Sequence, residues 1–129
     1  MTTTIPNRIH LHRLWLDNDP SGVRMVEHGD ALRSTDLRGA DLRSADLRSA
    51  GLSSANLRGA ILRSAGLSSA NLRSTNLRGA ILRGADLRSA GLSSANLLGA
   101  DLSSANLRSA DPRGADLRSA GLPADYRIA

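Results

Sequence analysis

The chain has 129 residues, no cysteine, one Trp, one Tyr and a formal net charge of +5. A short chain with one repeating pattern leaves no room for a second core, so we expect a single domain. The lack of cysteine excludes disulfides and thiolate metal sites, and no apolar run approaches membrane-span length. We therefore expect a cytoplasmic protein that does not engage a membrane.

Residues 1–29 lie outside the repeat and contain the only Trp and all three His. An end segment in a stacked repeat must cover exposed edges and apolar side chains, so we expect these residues to form a cap. Residues 7–16 favour a short helix in which Leu11, Leu14 and Trp15 share a face, although a strand over residues 8–16 is an alternative. His10 and His12 would share a face of such a strand, but no third ligand is apparent and no metal site is predicted.

From residue 30 to residue 122 the chain repeats every five residues without an insertion. Leucine recurs from Leu32 to Leu122 with Pro112 as the only exception, and alanine precedes most of these leucines by two residues, with Thr35 and Thr75 as the main exceptions. In an α-helix, successive leucines would lie about 140° apart and form no stripe. In an uninterrupted strand they would alternate between opposite faces, so a corner must reset the alternation once per repeat.

We expect Ala and Leu to point inward, the residues flanking Leu to point outward, and the fifth residue, Ser or Gly, to turn the chain. Glycine recurs at this corner twenty residues apart, at Gly39, Gly59, Gly79 and Gly99, which indicates four repeats per coil. Repeats of this kind stack into a solenoid whose interior is a set of leucine columns. The predicted structural core comprises Leu52, Leu57, Leu62, Leu67, Leu72, Leu77, Leu82 and Leu87.

The pattern A-(D/N)-L-x-x, as in ADLRS at 40–44, ANLRG at 55–59 and ANLLG at 95–99, resembles the pentapeptide-repeat family. The resemblance implies an all-β fold, a right-handed quadrilateral β-helix of just under five coils. On this basis residues 1–29 are the cap, residues 30–122 the β-helix and residues 123–129 a C-terminal tail.

The C-terminal tail is a thin cover for the last coil, and Pro112 removes one backbone donor there. Tyr126 and Ile128 could fold back over this end. Alternatively, a homodimer could form through the C-terminal end, as in some relatives with this fold.

Nothing in the repeats is typical of an enzyme. Catalysis needs unlike groups in a concave site, whereas the repeats offer Arg, Ser, Asp and Asn on convex sides and contain no His. We predict no catalytic residue, no cofactor and no bound metal.

Charge is the more informative signal, because the repeats contain thirteen Arg and eight Asp while each flank sums to zero. Toward the ends of the tract, Asp and Arg lie two apart on the same outward side and should neutralise each other, as in Asp36/Arg38, Asp41/Arg43, Asp46/Arg48, Asp86/Arg88 and Asp116/Arg118. Residues 51–85 contain no acid. With four repeats per coil, Arg58 stacks on Arg78, and Arg63 stacks on Arg83 on the next side. We call these four residues the basic corner.

Beside the basic corner, Ile61 and Ile81 occupy outward positions that usually hold Asp or Asn, and Leu98 replaces an outward Arg. Apolar groups rimmed by arginine are a common form of protein interface, and stacked arginines repel unless they bind anions. A solvated surface without a partner is the alternative. The column of outward Asn side chains should be structural, with neighbouring amides bonding along the rod.

Three functions are open at this point. We expect an interaction scaffold that uses the basic corner with Ile61, Ile81 and Leu98 to bind an unidentified, acidic protein partner. Known relatives with this fold bind DNA gyrase by mimicking DNA with acidic rods, but a basic rod is a poor mimic of DNA. Nucleic-acid binding through the same arginines would be weak and salt-dependent, because the repeats contain no aromatic side chains for stacking.

Overall fold

A computed structural model describes residues 4–126, in which one helix precedes a tract of stacked coils. Helix α1 spans Ile5–Leu16 and so begins two residues before the predicted start. The Thr4 hydroxyl caps it by accepting a hydrogen bond from the Asn7 N–H at 3.3 Å, and Pro6 lies in the first turn, where a missing N–H is tolerated. None of the helical structure in residues 4–126 has the length and apolar character needed to span a membrane.

The buried face of α1 is not the face that was predicted. Leu11 and Leu14 are half-buried and Trp15 is 36% exposed, whereas His12 is fully buried. His12 can be buried because the backbone next to it supplies hydrogen-bond partners, and the partly buried Ile5 and Ile9 also pack against the core. The turn that follows needs Gly22, since a Cβ at that position would collide with the backbone of Leu14 and Trp15.

The coils are held together by parallel β-bridges between residues twenty apart, so four repeats complete each coil. Each repeat contributes a single bridge residue and no extended strand, because only three residues lie between consecutive corners. Pairing starts at Val26, which bridges to Asp46. The four bridge columns are Asp36–Asn56–Asn76–Asn96–Asp116, Asp41–Ile61–Ile81–Asp101–Gly121, Val26–Asp46–Gly66–Asp86–Asn106 and Gly51–Asn71–Gly91–Asp111.

Each corner is a tight turn closed by a hydrogen bond from the alanine N–H to the leucine carbonyl three residues earlier, as from Ala60 to Leu57 at 2.9 Å. The second central residue of the turn, which directly precedes alanine, has a positive φ, 68° at Gly59 and 59° at Ser64. The first central residue, which follows leucine, does not have a positive φ. This combination defines a type II turn. The sequence therefore places Gly or Ser at the corner, and serine accepts some backbone strain there.

The core is the expected set of leucine columns. Every leucine at a repeat centre from Leu32 to Leu102 is at most 2% exposed, including all eight predicted core leucines. Thr75 occupies an inward alanine position, where its hydroxyl donates to the Leu52 carbonyl at 2.9 Å. The leucines of the last coil, Leu107, Leu117 and Leu122, are only half-buried.

Candidate functional site

The preference for Asp or Asn before leucine follows from the backbone amides, as repeat 76–80 illustrates. The N–H groups of Asn76, Leu77, Gly79 and Ala80 each donate to a backbone carbonyl at 2.7–3.0 Å. The Arg78 N–H has no such carbonyl and donates to the Asn76 side chain at 3.0 Å. Where the outward residue is Asp or Asn, its side chain thus completes the hydrogen bonding of that repeat.

The asparagine column has this local role and not the role we expected. The Oδ1 atoms of Asn56, Asn76 and Asn96 accept hydrogen bonds from the N–H two residues later, at 3.0–3.2 Å. Within residues 4–126 no asparagine side chain bonds to another. The prediction of amide bonds along the rod is therefore wrong, because each carbonyl oxygen already satisfies a backbone donor of its own repeat.

Where the outward residue is aspartate, its carboxylate also holds the arginine that follows leucine. Asp41 accepts from the Arg43 N–H at 3.3 Å, from Nε at 2.9 Å and from Nη2 at 2.7 Å. All five pairs named from the sequence have this geometry, and Asp111/Arg113 adds a sixth. The Arg118 guanidinium and N–H lower the pKa of Asp116 to about 2.

The arginines of the basic corner lack this partner. Arg58, Arg63, Arg78 and Arg83 are exposed, and within residues 4–126 none of them pairs with a carboxylate. On one side the preceding outward residue is an asparagine, which accepts the backbone N–H but leaves the guanidinium unpaired. On the next side it is Ile61 or Ile81, which accepts nothing. Two other repeat arginines lack a carboxylate in the described chain, Arg73 and Arg108, but they lie on the remaining two sides.

The basic corner surrounds an apolar column. Ile61 bridges to Ile81, which is 38% exposed, and this column lies between the Arg58/Arg78 column and the Arg63/Arg83 column. Leu98 is half-buried and follows Arg78 in its column. The structure thus places all seven predicted site residues on two adjacent sides of the rod.

A feature that the linear sequence reading missed is the acid at each end of the isoleucine column. Asp41 bridges to Ile61, and Asp101 bridges to Ile81. The pKa of Asp101 is lowered mainly by the Ser103 hydroxyl and N–H, and the positive charges of Arg83 and Arg63 add to this effect. The twenty-residue period contained the signal for both neighbours. The unneutralised part of the basic corner is therefore two coils long.

The histidines do not form a metal site. His12 Nδ1 accepts a hydrogen bond from the Met25 N–H at 2.8 Å, and its Nε2–H donates to the Arg43 carbonyl at 2.9 Å. Burial lowers the pKa of His12, which agrees with a neutral ring in this position. Within residues 4–126 no three His, Asp or Glu side chains are grouped so that they could hold a metal ion.

Comparison with known proteins identifies the family. The sequence profile for pentapeptide repeats matches residues 31–63, 65–103 and 95–122 in eight copies. A pentapeptide repeat protein of the Arabidopsis thaliana thylakoid lumen is 31% identical with a TM-score of 0.70, over 74% of this chain and 66% of that one. The chain belongs to the pentapeptide-repeat family, which confirms the resemblance seen in its sequence.

Two further solved structures are similar to the chain. A pentapeptide repeat protein from Nostoc PCC 7120 is 31% identical with a TM-score of 0.36, over 92% of this chain and 86% of that one. QnrB1, a plasmid-mediated fluoroquinolone resistance protein, is 24% identical with a TM-score of 0.41, over 77% of this chain and 55% of that one. This chain thus spans just under two thirds of the thylakoid-lumen protein and just over half of QnrB1. No curated protein sequence matches it.

Proposed function

We propose that this protein is a non-enzymatic interaction scaffold of the cytoplasm, and that the basic corner with Ile61, Ile81 and Leu98 binds an acidic surface of a partner protein. One observation carries the proposal. Seven of the thirteen repeat arginines pair with an aspartate of this chain, whereas the four of the basic corner have no carboxylate within residues 4–126.

The electrostatics of the stack support this role. Successive coils lie about 4.8 Å apart, so the guanidinium groups of neighbouring coils repel each other unless anions lie between them. Ile61 and Ile81 add apolar area at the centre of the charged rim, which is the arrangement of many protein interfaces. An acidic partner would relieve the repulsion and cover the isoleucines in one step.

The other two functions have less support. A rod with an unneutralised basic corner is electrostatically opposite to duplex DNA, so nothing observed favours the gyrase-modulating alternative. Nucleic acid would neutralise the arginines but would leave Ile61 and Ile81 without an apolar partner. Weak binding of nucleic acid remains the competing outcome of the experiment below.

We also propose that two chains associate through the coil that contains Leu107, Leu117 and Leu122. These leucines are half-buried, unlike those of the preceding coils, and the Leu117 N–H has no acceptor within residues 4–126. Tyr126 is half-buried after a turn in which its N–H donates to the Pro123 carbonyl at 3.0 Å, and Ile128 lies outside the described residues. A second copy would cover this apolar layer.

The test of the scaffold function compares two variants with the same charge change. The first is Arg63→Glu/Arg83→Glu in the basic corner, and the second is Arg73→Glu/Arg108→Glu on the other sides. Each is immobilised beside the wild type, and protein and nucleic acid retained from a bacterial lysate are identified at low and high salt.

A protein retained by the wild type and by the second variant, but not by the first, supports the proposal. If nucleic acid is retained at low salt and no protein depends on the basic corner, the scaffold function is wrong. Retention of the same proteins by all three samples leads to the same conclusion.

A further inference from the structure

The departures at Ile61 and Ile81 leave a specific chemical gap. At Asp41 one carboxylate holds the following arginine by its backbone N–H and by two guanidinium nitrogens. At Ile61 and Ile81 the carboxylate is replaced by an alkyl side chain, and within residues 4–126 the N–H groups of Arg63 and Arg83 have no acceptor. Each of these arginines therefore presents a guanidinium edge that in other repeats is occupied by a carboxylate.

The spacing of the two unoccupied guanidinium edges restricts the secondary structure that a partner segment can have. Arg63 and Arg83 are one coil apart, about 4.8 Å along the rod, as are Ile61 and Ile81. Side chains three or four residues apart on a helix have Cβ atoms about 5–6 Å apart, and one helical turn rises about 5.4 Å. Two turns of a helix lying along the rod therefore match two coils closely.

A strand fits less well in either direction. Along the rod, same-face side chains of a strand are about 7 Å apart and lose register within two coils. Around the rod, a strand would need free backbone groups, but the N–H groups of Ile61, Leu62, Ile81 and Leu82 already donate to neighbouring coils at 2.7–2.9 Å. Strand addition is therefore confined to the ends of the rod.

A helix of a second copy is also a poor occupant. Helix α1 is the one helix of residues 4–126, and it carries Arg8 and Arg13 but no acidic residue. Its charge would repel the basic corner. The charge of the site calls for a helix that is acidic on both flanks of its apolar stripe.

We propose, on the basis of the scaffold function above, that the partner segment is an acidic amphipathic α-helix that docks along the rod. Its carboxylates, one turn apart, take the guanidinium edges of Arg63 and Arg83 that an aspartate of the chain would otherwise occupy. Its apolar stripe rests on Ile61 and Ile81. Carboxylates on the other flank pair with Arg58 and Arg78, and the next apolar residue reaches Leu98.

The ends of the site limit the acidic stretch of the helix. Asp41 lies below the isoleucine column and Asp101 lies above it, so a guest carboxylate beyond two turns would face a like charge. Leu98 lies in the same coil as Asp101 but in the neighbouring column. The line of apolar residues from Ile61 through Ile81 to Leu98 is therefore inclined to the rod axis. The preferred helix therefore carries its acids over two central turns only.

The probe is a synthetic helical peptide of about 20 residues, long enough for measurable helicity, with Leu on one stripe, Glu on both flanks of two central turns and Ala elsewhere. The control peptide has the same composition in scrambled order. Binding of each peptide to the full-length protein is measured by isothermal titration calorimetry at low and high salt. A single-stranded oligonucleotide of similar length serves as a third titrant.

The matched protein variants are Ile81→Asp and Gly91→Asp, which add one carboxylate at the same repeat position on different sides. Ile81→Asp supplies Arg83 with a partner from its own repeat, as Asp41 does for Arg43. At Gly91 an added Cβ meets the Arg73 side chain at an ordinary 3.7 Å, so that variant should fold normally. Circular dichroism checks the fold of both.

We expect the peptide with the leucine stripe, the striped peptide, to bind the wild type at least about tenfold more tightly than the scrambled peptide does. This difference in affinity should disappear in Ile81→Asp and persist in Gly91→Asp. Equal binding of both peptides, still lost in Arg63→Glu/Arg83→Glu, would overturn the helix while leaving the acidic partner of the scaffold function. If the oligonucleotide binds more tightly than either peptide and this binding is lost at high salt, both the helix proposal and the scaffold function are wrong. The same conclusion follows if neither peptide binds and the wild type and both double-Glu variants retain the same proteins from the lysate.

Discussion

Truncating one leucine in the middle of the rod and one in the last coil should separate the contribution of burial from that of residue type. Leu77 and Leu117 occupy the same column and the same repeat position, but they differ in how far neighbouring coils bury them. Leu77 is fully buried between coils, whereas Leu117 is half-buried. The perturbation is Leu→Ala at each position in turn.

The magnitude follows from the atoms removed. Leu→Ala deletes three carbons, and at about 0.8 kcal/mol for each buried CH₂ the transfer contribution is about 2.4 kcal/mol. A rigid column with coils on both sides cannot collapse into the hole, so the cavity raises the loss for Leu77→Ala to about 2–5 kcal/mol. At protein concentrations where the chain is monomeric, Leu117→Ala should cost about 1 kcal/mol, because much of that side chain then contacts water.

Urea unfolding followed by far-UV circular dichroism gives both values, with Trp15 fluorescence as a second probe on the cap. Coincident transitions of the two probes would justify a two-state fit, which a stacked repeat does not guarantee. If the two variants lose the same free energy of unfolding, the difference in cover between the middle and the last coil does not govern stability, and the reasoning is wrong.

Further expectations concern the cap, the corners and the last coil. Because the pKa of His12 is lowered, its contribution to stability is complete above about pH 6.5, the value in the unfolded chain, and is lost as the pH falls below it. His12→Gln should remove this part of the pH dependence of the urea midpoint, whereas His10→Gln at an exposed position should not. Gly79→Ala should cost about 1 kcal/mol in urea unfolding, although its Cβ would meet no atom within 4 Å, because φ is +66°; Ser74→Gly should not destabilise comparably. Sedimentation velocity should show a concentration-dependent dimer that Leu107→Asp converts to a monomer, and a wild type that is monomeric at every concentration would contradict the proposed dimer.

The repeat could be understood from the sequence because its constraint is periodic. A spacing of five excludes a helix, a spacing of twenty gives the number of sides, and both are visible without coordinates. The type II corners explain why Ser and Gly occupy the fifth position, and the buried columns explain the leucines. The outward Asp and Asn were assigned to the surface correctly, but their backbone hydrogen bonds were not predicted, because no spacing in the sequence reveals which amide lacks a carbonyl.

The segment before the repeats was harder to predict because it contains no repeat. His12 is buried by two backbone partners, the Met25 N–H and the Arg43 carbonyl, and these are brought together by the fold and are distant in sequence. The position of Asp101 was missed for a different reason. Along the chain, residues 51–85 contain no acid. Stacking nevertheless places Asp101 of the next coil beside Ile81.

The isoleucines raise a final question, because they remove a hydrogen bond that Asp or Asn provides at the same position of other repeats. Replacing Ile61 and Ile81 with Asn would give the N–H groups of Arg63 and Arg83 the acceptor that Asn56 gives to Arg58. Each restored bond is worth about 0.5–1.5 kcal/mol. The partly covered isoleucines, of which Ile81 is 38% exposed, lose apolar burial of about the same value, so the two effects largely cancel.

We therefore expect the double Asn variant to be about as stable as the wild type in urea and to bind the striped peptide at least about tenfold more weakly. The matched control is Gly91→Asn, which adds the same side chain on another side and should leave binding unchanged. Weaker binding with unchanged stability would mean that the isoleucines serve an interface and are not needed by the fold. A variant that is less stable and binds as well as the wild type would show that the isoleucines serve the fold, and the interface would then rest on the arginines alone.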